Sequence, residues 1–396
     1  MNDVRRTSWL ALIAIVGLAL NLRPALAALG PLLDSIQAAV GLSHTQASLL
    51  TTLPIFVMGL GALAGRYVTQ WVTERNGIAL GAVLVALACA ARLFATTAPG
   101  LLLTAILAGV GIALVQTLVP ACIKRGFGDQ AGRVFALYTT GIMAGAAVAA
   151  AAAAGLAAWA GWPVALAIWA LPALLALPLW RAACRARPEL APVRASAAPR
   201  PVPRRFMRNA RAWALMLFFG IGTGAYTLVL AWLPPYYTSL GWQPSAAGFL
   251  LSGLTVTEVI SGLAVSAWIG RFPDRRGPLM WVLVALIAGL TCLAVAPLSL
   301  ALVACVLVGI GIGALFPLSL IVALDHVDDP SQAGMLAAFV QGGGYLIASL
   351  MPLLAGVLRD RFEDLTQAWV VMIVGAVILL ALCSRFSPAS YHRIDA

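Results

Sequence analysis

The sequence predicts an all-α integral membrane protein of twelve transmembrane helices, arranged as two pseudo-symmetric six-helix bundles. Three observations predict it. Of the 396 residues, 62% are apolar and only 10% charged, whereas soluble domains are nearer a quarter charged, so lipid is the solvent for most of this chain. The remaining charges sit in short clusters between apolar runs, each long enough to cross the hydrocarbon, which takes about 20 residues. A basic, proline-rich segment then divides those runs six and six.

The apolar runs place spans near residues 8–33, 45–65, 77–96, 98–123, 132–157, 162–181, 210–236, 244–269, 278–297, 298–324, 331–358 and 366–386. The first is too long for a signal peptide and carries Arg23 near its middle, so it reads as a retained helix. A membrane β-barrel would instead show ten-residue segments of alternating polarity. Helix-end signals agree with the spans. Ser43-His44-Thr45-Gln46 has capping-box spacing before span two, and Asp329-Pro330 sets an N-cap and an N1 proline before span eleven. Trp9, Trp71, Trp162, Trp180, Trp213, Trp242 and Trp268 fall near span ends, where aromatic belts form.

The formal net charge of +11 raises the question of a nucleic-acid partner. Its location answers it: with the N-terminus inside, every Lys and Arg except Arg23, Arg92, Arg359 and Arg361 falls on the cytoplasmic side. That is the positive-inside rule, with both termini cytoplasmic. Six cysteines show no metal-type spacing and lie mostly in apolar spans, where a thiol behaves as a small hydrophobe. No metal or cofactor is expected.

Between Arg181 and Arg211 lie Pro188, Pro192, Pro199, Pro201 and Pro203 among many arginines, in a stretch too polar to span. The expected organisation is a first bundle at 1–181, a basic cytoplasmic linker at 182–209 able to lie on anionic lipid headgroups, and a second bundle at 210–396. The bundles read as duplicates. Gly109-Val110-Gly111-Ile112 recurs as Gly309-Ile310-Gly311-Ile312, Gly41 as Gly241, and Ala131-Gly132 as Ala333-Gly334, at offsets of 200 to 202 residues. Parallel repeats of this kind imply alternating access, with substrate held between the halves near the midplane.

Arg23 is the most informative residue. It lies roughly 21 Å along a helix from Trp9 and roughly 16 Å from Asp34, too far to reach either interface. A charge at that depth faces a cavity or a partner. Its planar fork of donors suits a small oxyanion or carboxylate; the alternative is a structural ion pair. Pro24 frees the carbonyl of Leu20, which adds local polarity. Glu258, at similar depth in span eight, is either the fixed counter-charge to Arg23 or a carboxylate that carries a proton. Asn21, Gln116, Tyr226, Trp232, Gln341 and Tyr345 are candidates to complete a substrate site; singly, each has helix-to-helix hydrogen bonding as its plainer role. Gln341 and Tyr345 lie four apart on one face. Lys124-Arg125 and Asp325-His326 close spans four and ten at duplicated positions; the positive-inside bias explains the first pair, while Asp325 and His326, with Arg66, are candidates for a salt-bridge gate across the inner mouth, the alternative being a solvated loop.

The glycine-rich runs lie inside apolar helices with no preceding strand and no Lys-Ser/Thr after them, so they cradle no phosphate. No nucleophile elbow, metal-ligand helix or pair of catalytic carboxylates appears, which argues against an enzyme.

Several stretches resemble the major facilitator superfamily, and within it the bacterial cyanate-porter branch, which includes a 2-nitroimidazole transporter. They are Asn21-Leu22-Arg23-Pro24 followed by Gly30-Pro31-Leu32-Leu33, Gly109-Val110-Gly111-Ile112 leading to Ile123-Lys124-Arg125, Ala231-Trp232-Leu233-Pro234, Phe316-Pro317-Leu318 with Leu324-Asp325-His326, and Phe339-Val340-Gln341-Gly342. The family's loop between helices two and three usually reads Gly-x-x-x-Asp-Arg; Gly61-Ala62-Leu63-Ala64-Gly65-Arg66 keeps the glycine and arginine and has Gly65 for the aspartate. The resemblance implies a monomeric secondary transporter in the bacterial inner membrane, taking cyanate or a similarly small anion. Moving one negative charge inward against 100 mV costs about 2.3 kcal/mol, so concentrative uptake needs a co-transported cation, most simply a proton. The other expectation within transport is export of a small neutral drug or antimetabolite such as a nitroimidazole, with Arg23 and Glu258 paired structurally.

Overall fold

The structure, a computed structural model, describes residues 2–187, 190, 204–327, 330–389 and 391; side chains are described for all of these except 2–8, 65–71, 129, 204–205, 330–331 and 333. Helices are the only regular elements among the described residues, with no strand among them. Span one is built from α1 (Asn2–Leu20), α2 (Pro24–Ala27) and α3 (Leu29–Val40). Then follow α4 (His44–Trp71), α5 (Glu74–Ala91), α6 (Ala98–Phe127) and α7 (Ala131–Ala160), with span six formed by α8 (Trp162–Ala167) and α9 (Ala170–Ala186). After the short α10 (Arg204–Arg208) come α11 (Ala210–Ser239), α12 (Pro244–Trp268), α13 (Arg276–Val295), α14 (Ala301–Leu324), α15 (Pro330–Phe362) and α16 (Thr366–Cys383). Among the described residues, twelve segments are long and apolar enough to cross a membrane.

Several boundaries differ from expectation, among them the ends of α4 at Trp71 rather than 65 and of α5 at Ala91 rather than 96, and two of the differences have a local cause. Span one reaches Val40 rather than residue 33 because it is broken in the middle: Pro24 has no N–H to continue α1 and instead opens α2 at its first position. Span six continues to Ala186, because the segment after Trp180 is alanine-rich and still buries Ala183 and Cys184. The capping box is present, with Gln46 N–H donating to Ser43 Oγ at 3.1 Å and Ser43 N–H to Gln46 Oε1 at 3.1 Å. α15 begins at Pro330 as expected, although Asp329 itself lies outside the described residues.

The duplication is visible in the packing. In the first half α1 packs on α7 and α9, α5 on α9 and α6, and α6 on α4. In the second, α11 packs on α15 and α16, α13 on α16 and α14, and α14 on α12. The two sets coincide under a shift of about 200 residues. The halves meet along α4 with α15 and along α7 with α12, which the same shift exchanges. Gly109 and Gly309 mark equivalent crossings: a Cβ at Gly109 would come within 2.7 Å of Pro54 Cα on α4, and one at Gly309 within 2.8 Å of Thr257 Cβ on α12.

Side chains such as Phe94, Trp159, Leu175 and Trp281 are exposed on the outer surface, an apolar envelope that suits lipid rather than water. Trp9, Trp213 and Trp268 are exposed near helix ends as a belt requires. Trp180 is not part of the belt: it is fully buried and donates to the Arg75 carbonyl at 3.1 Å, pinning α9 to the start of α5. All six cysteines are free, and five are buried.

Candidate functional site

The break in span one presents Arg23. The chain leaves α1 through 3₁₀-like turns at Asn21 and Leu22, and Arg23 caps the start of α2 with its side chain only 5% exposed. The guanidinium carbon lies 5.3 Å from the centre of the Tyr226 ring, on α11 of the other half, a cation–π contact. Arg23 also acts electrostatically on Tyr138 of α7, Tyr345 of α15 and Glu258 of α12. The site therefore sits on the seam between the halves.

Glu258 is 4% exposed, and neither carboxylate oxygen has a hydrogen-bond partner. Its backbone is pressed against α14 at Gly313, where a Cβ would collide with it. No ion pair joins Glu258 to Arg23. Several other buried polar atoms around them lack partners: Arg23 Nε, the Tyr138 and Tyr226 hydroxyls, and Thr223 Oγ1 one turn before Tyr226. A buried polar group left unsatisfied costs about 1–3 kcal/mol, more if charged. Such a concentration belongs to a place that water or a ligand fills.

Of the sequence candidates, the structure groups Arg23, Tyr226, Glu258 and Tyr345. It does not group the others with them. Asn21 donates to the carbonyls of Gly17 at 2.7 Å and Pro172 at 3.2 Å, tying the break to α9. Gln116 and Gln341 are half-buried on α6 and α15, and neither hydrogen-bonds Arg23. Trp232 is buried toward the far end of α11, donating to the Pro352 carbonyl at 2.9 Å. Tyr138 joins the group without having been expected there; its only signal in the sequence is an aromatic hydroxyl inside an otherwise alanine-rich span. Arg92, expected on the outer face, is 1% exposed and donates to the Ala25 carbonyl at 2.7 Å, holding α2 from the end of α5.

On the face opposite the arginine clusters the halves are latched. The Asp360 carboxylate at the end of α15 accepts from the His44 and Thr45 backbone amides, each at 2.8 Å, capping α4 of the other half. Thr238 of α11 donates to Asp34 of α3, and Arg359 lies 3.9 Å from Asp34 and over the Trp232 ring. Trp232 belongs to this closure.

On the arginine-rich face the ion pairs between described residues stay within halves. Arg125 pairs with Glu74 in the first and Asp325 with Arg275, at 2.9 Å, in the second. His326 is buried, its ring Nδ1 2.6 Å from the Val322 carbonyl and its ring 4.5 Å from that of Tyr391. In this conformation Asp325 and His326 find their partners within their own half, which short loops place beside them. The Arg66 side chain lies outside the described residues.

Residues 12–349 and 233–394 match the Major Facilitator Superfamily. The chain is 35% identical to the Cyanate transport protein CynX of Escherichia coli (strain K12), over 97% of this chain and 98% of that one. It is 32% identical to the 2-nitroimidazole transporter of the same organism, over 94% and 93%. Among solved structures, a bacterial homolog of the human lysosomal transporter Spinster superposes with TM-score 0.77 at 16% identity, covering 96% of this chain and 97% of that one. A D-xylose–proton symporter does so with TM-score 0.72 at 15% identity, covering 94% and 96%. These likenesses show a shared fold.

Proposed function

The chain belongs to the major facilitator superfamily and is a multi-pass membrane transporter, not an enzyme, and from that premise we propose that it carries a small anion, cyanate or one of like size, across the bacterial inner membrane. One observation carries the reading. A guanidinium lies buried on the seam between the halves with a donor nitrogen that no protein atom satisfies. A small anion is the ligand such a fork binds best, and the relative named for cyanate transport supports its chemistry.

Transport then proceeds by alternating access, with 1–181 and 210–396 rocking as units joined by the linker at 182–209. With both termini cytoplasmic, the Asp360 latch lies outside, and the conformation described faces inward. Uptake against the membrane potential draws on a proton gradient, with Glu258 as the carrier. The competing picture is export of a small neutral compound beside a structural Arg23–Glu258 pair; that neither Glu258 oxygen has a hydrogen-bond partner favours the first reading over it.

The test is uptake of labelled cyanate into proteoliposomes under an inward proton gradient, with Arg23→Ala and Arg23→Lys beside the wild type. Uptake is expected to vanish in the first and to fall by tenfold or more in the second, because an ammonium cannot reproduce the fork. Wild-type uptake left unchanged by either substitution overturns the site. Absence of wild-type uptake in folded protein overturns the anion.

A further inference from the structure

We propose that Arg23 and Glu258 form the two ends of one site whose substrates are weak N–H acids: the acceptor edge of the molecule lies on Arg23, and its acidic hydrogen lies between the ligand nitrogen and Glu258. The inference deepens the reading of Arg23 as the anion-binding end and rests on it.

The argument starts from unused hydrogen-bonding capacity. Arg23 offers donors alone, and its Nε has no acceptor. An ionised Glu258 offers acceptors alone, and both its oxygens lack a donor. The two do not satisfy each other, yet Arg23 acts electrostatically on Glu258, and both act on Tyr226. Tyr226 adds an unpartnered hydroxyl beneath the guanidinium. A ligand that fills this arrangement needs an acceptor at one end and a hydrogen at the other.

Charge balance sharpens the class. Arg23 and an ionised Glu258 together are neutral, so a bare anion beside them would leave a net negative charge buried, at a cost of several kcal/mol. One proton entering with the anion removes that cost. It resides either on Glu258, facing an anionic nitrogen, or on the ligand nitrogen, facing the carboxylate. The two states differ only in which atom holds one hydrogen. Cyanate with its proton and a 2-nitroimidazole are then the same kind of ligand, a small planar acceptor edge with an acidic N–H. Two relatives are named for these two molecules.

The other titratable groups nearby leave Glu258 as the atom that exchanges the proton. From the elements packed against α12, Tyr226 of α11 and Cys305 of α14 interact with Glu258, and α7 contributes Tyr138, which interacts with Arg23. Phenols and thiols hold their protons at neutral pH.

The experiment is calorimetric binding to the purified full chain in buffers of differing ionisation enthalpy, which counts protons taken up per ligand. The probes are potassium cyanate, 2-nitroimidazole and its 1-methyl analogue, which lacks the N–H. Measured across pH, wild type is expected to take up one proton per cyanate wherever Glu258 is ionised before binding, and Glu258→Gln none at any pH, while still binding it. 2-Nitroimidazole is expected to compete with cyanate, and the methyl analogue to bind at least tenfold more weakly. Cyanate binding without proton uptake in the wild type at any pH, or equal affinity for the methylated probe, overturns the inference and leaves the anion site standing. No cyanate binding by folded wild type overturns both.

Discussion

Asp360, the third-last residue of α15, caps the first turn of α4 by accepting from the backbone amide of His44 at 2.8 Å, so that a carboxylate of one half completes a helix of the other. Its second oxygen takes the Thr45 amide. A helix N-terminus carries a partial positive charge and unsatisfied N–H groups, and both favour this carboxylate. The contact exists only while the halves are closed on this face.

Asp360→Ala should therefore shift the conformational equilibrium rather than unfold the protein. Loss of an N-cap costs about 1 kcal/mol, a shift of about fivefold toward states open on this face. Spin labels at Ser35 and Gln243, exposed residues of the two halves, would report it as added population at longer separation. An unchanged distance distribution would show that the latch does not bias the equilibrium.

The fold was legible because it follows from solvent. A chain in hydrocarbon must satisfy its backbone internally, so each long apolar run has to be a helix, and the repeat at an offset near 200 already implied two related bundles. Arg23 and Glu258 were legible for the same reason, since a charge at mid-membrane is tolerated only beside a partner, a ligand or a water-filled cavity. What escaped were relations between halves. Nothing in the sequence pairs Asp360 with residues 44 and 45, more than 300 positions away. Trp232 looked like Tyr226, because both are buried aromatics of one span; only the packing shows that it belongs to the latch. Tyr138 had no charge to give it away.

Tyr226→Phe should leave stability unchanged and weaken transport. Its hydroxyl has no partner, so the fold loses no hydrogen bond with it. Tyr236, whose hydroxyl donates to the Leu293 carbonyl at 2.8 Å, provides the contrast. Tyr236→Phe is expected to lower stability by about 1 kcal/mol, while Tyr226→Phe raises KM several-fold at unchanged Tm. A fall in Tm for Tyr226→Phe with normal KM would assign its hydroxyl to the fold.

His326 makes stability depend on pH. Burial disfavours its charged form and brings its pKa down to about 4, and the nearby Arg211 lowers it further, although the Val322 carbonyl and Asp325 pull the other way. The unfolded chain takes up the proton near pH 6.5 and the folded chain does not until about pH 4. Stability is therefore fully present above pH 6.5 and is lost as pH falls toward 4. Melting curves of the wild type should decline across that window, and those of His326→Phe should decline less. Parallel curves would place the titration elsewhere.

Asp325 tests whether the arginine-rich face is gated by the ion pairs observed there. Glu74 and Arg125 join the start of α5 to the end of α6, and Arg275 and Asp325 join the equivalent points of α13 and α14 with the charges reversed. That two opposite arrangements stand at duplicated positions means the bond, not its polarity, is what each half uses. Arg275 also donates to the Ile269 carbonyl at 2.6 Å, so its role is to fasten the loop between α12 and α13. Partly exposed pairs of this kind contribute about 0.2–1 kcal/mol. Asp325→Asn should lower stability by no more than that and leave transport rates within twofold. The double exchange Arg275→Asp with Asp325→Arg should recover the loss, since the first half already works in that sense. A transport rate that collapses in Asp325→Asn at unchanged Tm would instead make this residue part of the moving gate.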